Sequence, residues 1–516
     1  MPPVTMDTAV LFWPRGGSAQ VIRYLLRELN SRGMTNRLHA GSLGNPGDPS
    51  HGPTFYQGLD LHGYDHNDAM TAFTRGEDPQ GADRPFHPSY EDRGQCPDPL
   101  FSAVPPASAD HLTRAWTRHL TTHRSPDADL VHLHHLSHLQ HSALAAYPGI
   151  PRVTTLHGTE LKHLAAMDQR LHLARRTGES PSGLARLLHR DNPHRAAEAS
   201  RLAKTAALNE SDTNLLITTA WHKWIHSAHW ADRLREAAAH TGHLVVVSEH
   251  DQHLATRLLH LHTAPLVIPN GVDTQTFQPR PLDEVQRLQH LRHWLVTDPR
   301  GWTAGGSPGS IRYTETDLRR LHDSQGRLRP LLLWVGRFLD FKRVPVLLRA
   351  FADARTRLDP APALLMWGGY PGEYEGEHPV DLAAGLGISD DVFFAGWRGH
   401  DELPTGLNCA DLMVAPAIDE PFGMVYLEAM ACGTPPIATA TGGPAATILA
   451  AGPDATGWLV APDDVGDLAD TLVTAILNTS LRQSRGAAGR VRIQNTYSWT
   501  RTADHYLHAY DLAAQR

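Results

Sequence analysis

The chain has 516 residues, 41% hydrophobic and 20% charged, with a formal net charge of −8 at pH 7. That length exceeds one ordinary core and sets two or three domains as the expectation. The mild acidic balance excludes a protein built mainly to coat nucleic acid or anionic lipid. Three scattered cysteines, Cys96, Cys409 and Cys432, exclude a disulfide framework and fit a reducing, cytoplasmic compartment.

The predicted elements open with a strand-like run at 8–14, TAVLFWP, a turn through Arg15, Gly16, Gly17 and Ser18, and a helix at 19–30 that Gly33 closes. Strand, glycine-rich turn and helix are the opening of a Rossmann-like βαβ unit. The stretch 44–109 is rich in Gly, Pro, His and Asp and reads as a long insertion, ordered or mobile. The alternation resumes with DADLVHLHH at 127–135, RVTTLHG at 152–158, LVVVSE at 244–249 and PLVIPNG at 265–271. A second Gly/Pro-rich region, 286–328, reads as an interdomain connection.

The second half restarts the rhythm with LLLWVG at 331–336, a helix at 343–357, ALLMWGG at 363–369, VFFAGW at 392–397 and DLMVAP at 411–416. A helix from 423 to 432 follows, then PPIATA at 435–440 and GWLVAP at 457–462. Continuous apolar runs separated by helices indicate parallel sheets covered on both faces. The expected fold class is therefore α/β, two Rossmann-like domains with parallel sheets facing across a cleft. The expected boundaries are 1–285, 329–495, and a C-terminal helix at 496–516 packing back toward the first domain. No window approaches the ~18 apolar residues of a membrane span, and the N-terminus has no basic lead or small-residue cleavage site, so neither an integral membrane segment nor a leader is expected.

Ligands of such sheets lie beyond the carboxyl ends of the strands. The most informative segment there runs from Asp419 to Pro435. Glu420 precedes a helix beginning near Gly423, and Glu428 lies about two turns along it. The unpaired N–H groups at that helix start suit a diphosphate, and the two carboxylates could flank it and accept from sugar hydroxyls. An isolated Glu pair of this spacing is also what two surface acids around a helix cap look like. The histidines, 34 in all, include the run His132, His134, His135, His138 and His141, which straddles a strand and a helix without acid spacing. No metal is expected there.

The Asp419–Pro435 segment, with the turn Gly442-Gly443-Pro444, closely resembles the signature of the family-4 retaining glycosyltransferases of the GT-B fold. The resemblance extends to VGRFLDFKR at 335–343, PNGVD at 269–273, HGTE at 157–160 and the Gly16-Gly17 pair. It implies an enzyme that transfers a sugar with retention from a nucleotide diphosphate sugar, carrying uridine, guanosine or another base, to a small-molecule or glycan acceptor. No cofactor, metal or nucleic-acid partner is implied. Arg337 and Lys342 would reach one diphosphate from the same side. Glu420 would hold the transferred sugar and Glu428 the donor ribose. Phe422, Gly423, Met424 and Val425 would make backbone contacts, His157 would sit over the sugar, and Gly16 and Gly17 would approach the phosphate. Arg398 would stand near the base. The family's usual Lys-Gly is Lys342-Arg343 here, which keeps the cation and alters the loop. The acceptor side falls to the N-terminal domain. A catalytically silent sugar-binding module, a sugar phosphorylase or epimerase, and a glycoside hydrolase built on Glu420 and Glu428 are the competing readings.

Overall fold

The computed structural model describes residues 5–92, 96–370 and 372–515. They form two compact units, Met1–Ile268 with Ala503–Arg516, and Pro269–Thr502. The first unit holds a seven-stranded sheet: β1 (Thr5–Val10), β2 (Thr35–Ser42), β3 (Asp60–Asp65), β4 (Leu130–His134), β5 (Arg152–Thr155), β6 (His243–Val246) and β7 (Leu266–Val267). Its order is β3-β2-β1-β4-β5-β6-β7, and every pairing is parallel. Val10, Leu133, Val153 and Val245 put the continuous apolar runs into a core covered on both faces.

Two strands of this sheet, β2 and β3, were not expected from the sequence. Their segments, TNRLHAGS and DLHGYD, mix His, Gly and Asp into the apolar pattern, and β3 is the sheet edge with only Tyr64 buried. The 44–109 stretch is therefore not one insertion, because β3 and the helix Asn67–Thr74 lie inside it. Its irregular remainder is packed rather than loose. Phe86, His87, Ser89 and Tyr90 are buried, and Tyr90 stacks on Phe101 with ring centroids 4.7 Å apart. Residues 93–95 of that stretch lie outside the described residues.

Between β5 and β6 stands a helical block that the sequence reading did not anticipate, from Thr159–Arg176 through Ser227–Ala239. Four of its α-helices and the short turn Trp221–Trp224 close a small core of Leu173, Leu184, Leu202, Leu216 and Trp221. The apolar periodicity there comes in short, interrupted pieces, which makes it a weak signal.

The second unit carries β8 (Leu331–Gly336), β9 (Ala363–Gly368), β10 (Val392–Gly396), β11 (Leu412–Ala415), β12 (Pro436–Thr439) and β13 (Trp458–Val460). Their order is β10-β9-β8-β11-β12-β13, again parallel throughout. The segment 286–328, expected to be a connection, is part of this unit. Trp294, Leu295, Trp302 and Leu318 are buried, Arg300 bridges to Gly396, and the Trp302 indole donates to the Gly369 carbonyl at 2.8 Å. Its Gly and Pro residues hid those anchors from a composition-based reading.

The C-terminal helix Trp499–Ala514 passes from the second unit to the first at Ala503. Within the first unit, the Tyr506 hydroxyl lies 3.1 Å from Thr155 Oγ1 and that of Tyr510 lies 2.9 Å from His132 Nδ1. Strand order reverses between β1 and β4 in one sheet and between β8 and β11 in the other, so each sheet has its own ligand-favouring switch point. Among the described residues no helix is long and apolar enough to cross a membrane.

Candidate active site

In the second unit the expected residues sit on the loops that leave the carboxyl ends of β8, β10 and β11. The loop after β8 carries Arg337, makes a tight turn at Asp340–Lys342 and enters the helix Val344–Thr356. The loop after β11 carries Glu420 and enters the helix Met424–Ala431 at Gly423. The Ile418 N–H donates to the Phe341 carbonyl at 2.8 Å, which ties the two loops together across the switch point. There Lys342 Nζ and Glu420 Oε2 form a close ion pair, both side chains mostly buried. Two charges drawn out of water hold their geometry only with additional partners; Lys342 also lies 4.9 Å from the Phe341 ring centroid.

Glycine makes this packing possible. The Gly443 N–H donates to the Glu420 carbonyl at 2.7 Å. A Cβ at Gly442 would fall 2.4 Å from that carbonyl oxygen, and one at Gly443 would fall 2.4 Å from Phe422 Cα. Gly423 caps the helix at φ 79 with no side-chain hydrogen bond to the first turn, which leaves the N–H groups around Met424 and Val425 facing outward from the helix start. Phe422 is buried with its ring edge-on to Tyr497. The cap of the preceding loop is less ordinary: Arg343 occupies the left-handed region at φ 51. Glycine adopts that conformation without cost, whereas a side chain loses about 1–2 kcal/mol. Arg343 is held there by Asp340 at 2.7 Å and Asp463 at 2.8 Å.

The structure does not send Arg337 and Lys342 to the same neighbour. Arg337 faces Glu373 on the loop after β9, at 3.8 Å, while Lys342 faces Glu420 on the loop after β11. Glu428 is buried and its Oε1 lies 2.8 Å from His400 Nε2. His400 is the contact that the sequence reading missed, although it stands only two positions from the Arg398 singled out there. Arg398 itself is fully buried. Its guanidinium donates to the carbonyls of Trp294 and Asp298 and pairs with Asp298 and Glu402, so it fastens 294–298 to the end of β10 rather than presenting a fork to a ligand. Burial lowers its pKa. The exposed side chain at this position is its neighbour Trp397, 40% exposed, whose ring lies 6.1 Å from that of Tyr370, 53% exposed, on the loop after β9.

The remaining expected residues belong to the first unit, at the ends of β1 and β5. Gly16, at φ 66, opens the helix Gly16–Ser31, and a Cβ at Gly16 or Gly17 would meet nothing within 4 Å. The backbone there is open to close approach by a ligand. His157 follows β5; its N–H donates to Glu160 Oε1 at 3.0 Å, and its Nε2 lies 3.0 Å from His134 Nδ1 at the end of β4. The other Glu160 oxygen is 3.2 Å from His135 Nδ1. Burial, reinforced by the neighbouring imidazoles, lowers the pKa of His134 and His157 well below the usual histidine value, so both are neutral. Among the described residues no three His, Cys, Asp or Glu side chains are arranged to hold a metal ion.

Residues 322–492, which contain all the second-unit site residues, match the family model of glycosyl transferases group 1. The chain carries a glycosyl transferases group 1 domain. D-inositol 3-phosphate glycosyltransferase of Stackebrandtia nassauensis is 38% identical to it over 192 residues, 36% of this chain and 42% of the relative, so the similarity spans about two fifths of that protein. Among solved structures, sucrose-phosphate synthase from Thermosynechococcus elongatus superposes with a TM-score of 0.60 at 18% identity, covering 98% of each chain. The catalytic domain of starch synthase IV from Arabidopsis thaliana, bound to ADP and acarbose, superposes with a TM-score of 0.59 at 14% identity over 100% of each chain. These likenesses establish the two-Rossmann, GT-B type of fold. Within residues 322–492 the Lys342–Glu420 pair occupies the switch point of the sheet, and the Gly442-Gly443 turn after β12 packs against the Glu420 backbone.

Proposed function

We propose that the chain is a glycosyltransferase that moves a sugar, with retention, from a nucleotide diphosphate sugar to a small-molecule or glycan acceptor. The observation that carries this reading is the meeting of Lys342 and Glu420 at the switch point of the second sheet, beside an uncapped helix N-terminus. A diphosphate placed there gains the lysine cation and the helix dipole, while Glu420 turns to the sugar hydroxyls. Arg337, on the same loop, supplies a second cation.

The chemistry asked of these groups is stabilisation of the leaving group. As the glycosidic bond lengthens, negative charge grows on the diphosphate and positive charge on the sugar ring carbon. Fixed cations answer the first, and they act more strongly in the transition state than in the ground state. The acceptor enters on the face the phosphate leaves, and the departing phosphate oxygen takes its proton, so no protein nucleophile is required. With Lys342, Arg337 and the helix terminus offsetting the diphosphate charge, the reading needs no divalent ion. Glu428 is assigned to the donor ribose, sharing it with His400. The Tyr370–Trp397 pair stands on neighbouring loops of the same sheet edge and is assigned to the base, as aromatic faces stack on any base. In the first unit the reading gives His157 the sugar and Gly16 and Gly17 the phosphate.

Titration of the full chain with UDP, GDP and ADP in EDTA tests this directly. One of them should bind at least about tenfold more tightly than the others, and Trp397→Ala should weaken it by roughly tenfold, the scale of one lost base–aromatic stack. Absence of binding by all three would remove the donor-site assignment.

A further inference from the structure

The first unit has a polar groove that the reading above does not use. It lies at the β3 edge of the sheet, between the end of that strand, residues 83–84 of the following segment, and the last turns of the helix Pro106–His123, with a volume of about 550 Å³. Tyr64, Asp65, Asp83, Arg84, Arg118 and His119 are among its walls. That volume is in the range of small-molecule sites.

Three features of the walls converge. Arg84 and Arg118 are both exposed, and neither guanidinium has a hydrogen-bond or ion-pair partner among the described residues. Tyr64 is 5% exposed, stacked on Trp116 at 4.7 Å, and its buried hydroxyl has no partner among the described residues. A buried hydroxyl left unmatched is destabilising, so the Tyr64 hydroxyl in this wall calls for a ligand atom. Finally, both guanidiniums lie close enough to the Tyr64 hydroxyl to act on it electrostatically, although burial outweighs them and pushes the phenol up to about 12. Tyr64 is therefore a hydrogen-bond donor at neutral pH, flanked by two cations.

Two forked cations and a phenol donor suit an oxyanion. The same walls carry Asp65 and Asp83, which can only accept, and which would repel an ion that offered no donors. The carbonyl end of the helix Pro106–His123 also disfavours an anion within its last turn. A ligand meeting all of these demands has a phosphate or carboxylate at one end and hydroxyls at the other. From this we infer that the groove is a binding site for a phosphorylated or carboxylated sugar or polyol, its anion held by Arg84, Arg118 and Tyr64 and its hydroxyls by Asp65 and Asp83. The inference does not depend on the donor-site reading.

Glucose 6-phosphate, glucose and inorganic phosphate are the probes, titrated calorimetrically against the full chain, the Arg84→Gln/Arg118→Gln double variant and Lys342→Ala. Glucose 6-phosphate should bind more tightly than either fragment. The double variant should weaken it by at least about tenfold, as expected for losing charged hydrogen bonds, while Lys342→Ala should leave it within about twofold of the parent protein. Both variants carry changes at partly accessible side chains, and their melting temperatures should confirm folding. Unchanged affinity in the folded double variant, or loss of affinity in Lys342→Ala, would overturn the assignment, as would glucose binding as well as its phosphate.

Discussion

The two sheets share the order of their first six strands and treat their carboxyl ends in opposite ways. At the carboxyl ends of β4 and β5 in the first sheet stand histidines, His134, His135 and His157, with the imidazoles of His134 and His157 held neutral by burial. At the carboxyl ends of the second, charged groups meet, Lys342 with Glu420 and Arg337 with Glu373. Neutral imidazoles can donate or accept a hydrogen bond but add no field, whereas fixed cations stabilise charge as it develops. Under the proposed function, the fixed cations that answer the charge of the leaving diphosphate stand in the second unit, and the first contributes uncharged donors and acceptors.

The largest expected effect breaks the charged side of this comparison. Lys342→Ala should lower kcat by roughly 10²-fold or more, the scale of losing one preorganised electrostatic group, while nucleotide affinity falls less; steady-state kinetics beside nucleotide titration checks both.

Acid should break the other side. Burial depresses His132, His138 and His163 from the usual value of 6.5 to about 3. Above pH 6.5 these groups are neutral folded and unfolded and contribute no slope. As pH falls below 6.5 the unfolded chain takes up protons that the folded one refuses, so stability is lost across the window down to about 3, at ~1.4 kcal/mol per group per pH unit. Three such groups lower the stability of the first unit by about 6 kcal/mol at pH 5, an upper figure comparable to the whole stability of a domain. Hydrogen exchange at pH 7 and pH 5 should show protection lost across β4 and the helix Thr159–Arg176 before β8 and β11.

Smaller effects sharpen the packing account. Gly443→Ala places a methyl group 2.4 Å from Phe422 Cα; it should destabilise the second unit by about 1–3 kcal/mol, read as a lower denaturant midpoint. Arg343→Gly relieves a left-handed residue but loses two partly exposed ion pairs. Those terms are each about 1 kcal/mol and opposed, so melting should shift by no more than a few degrees.

Much of the second unit was legible in its sequence because its strands are uninterrupted apolar runs: LLLWVG at 331–336 is β8 without a shifted end. The first unit was harder to read because β2 and β3 interleave His and Gly with apolar residues, and because an edge strand needs only one buried face. The positions of Lys342, Glu420, Gly423 and Glu428 on their loops and helix were readable from spacing. Their partners were not, since a contact such as His400 with Glu428, or the enclosure of Arg398 by Trp294 and Asp298, depends on which loops the sheet order brings together. Arg343 shows the same limit from the other side: the family resemblance pointed to a glycine replaced there, and only the backbone showed that a left-handed residue was required.

Under the proposed function, the second unit breaks a nucleotide sugar with fixed protein charges. The most direct test of this is to incubate the full chain with UDP- and GDP-sugars and a mixture of hexose and polyol acceptors in EDTA, and to follow nucleoside diphosphate release and product anomer by NMR. The account predicts that one nucleotide sugar yields its nucleoside diphosphate and a product of retained configuration, with the rate unchanged by added magnesium or manganese. Turnover that appears only with a divalent ion, or a product of inverted configuration, would contradict it.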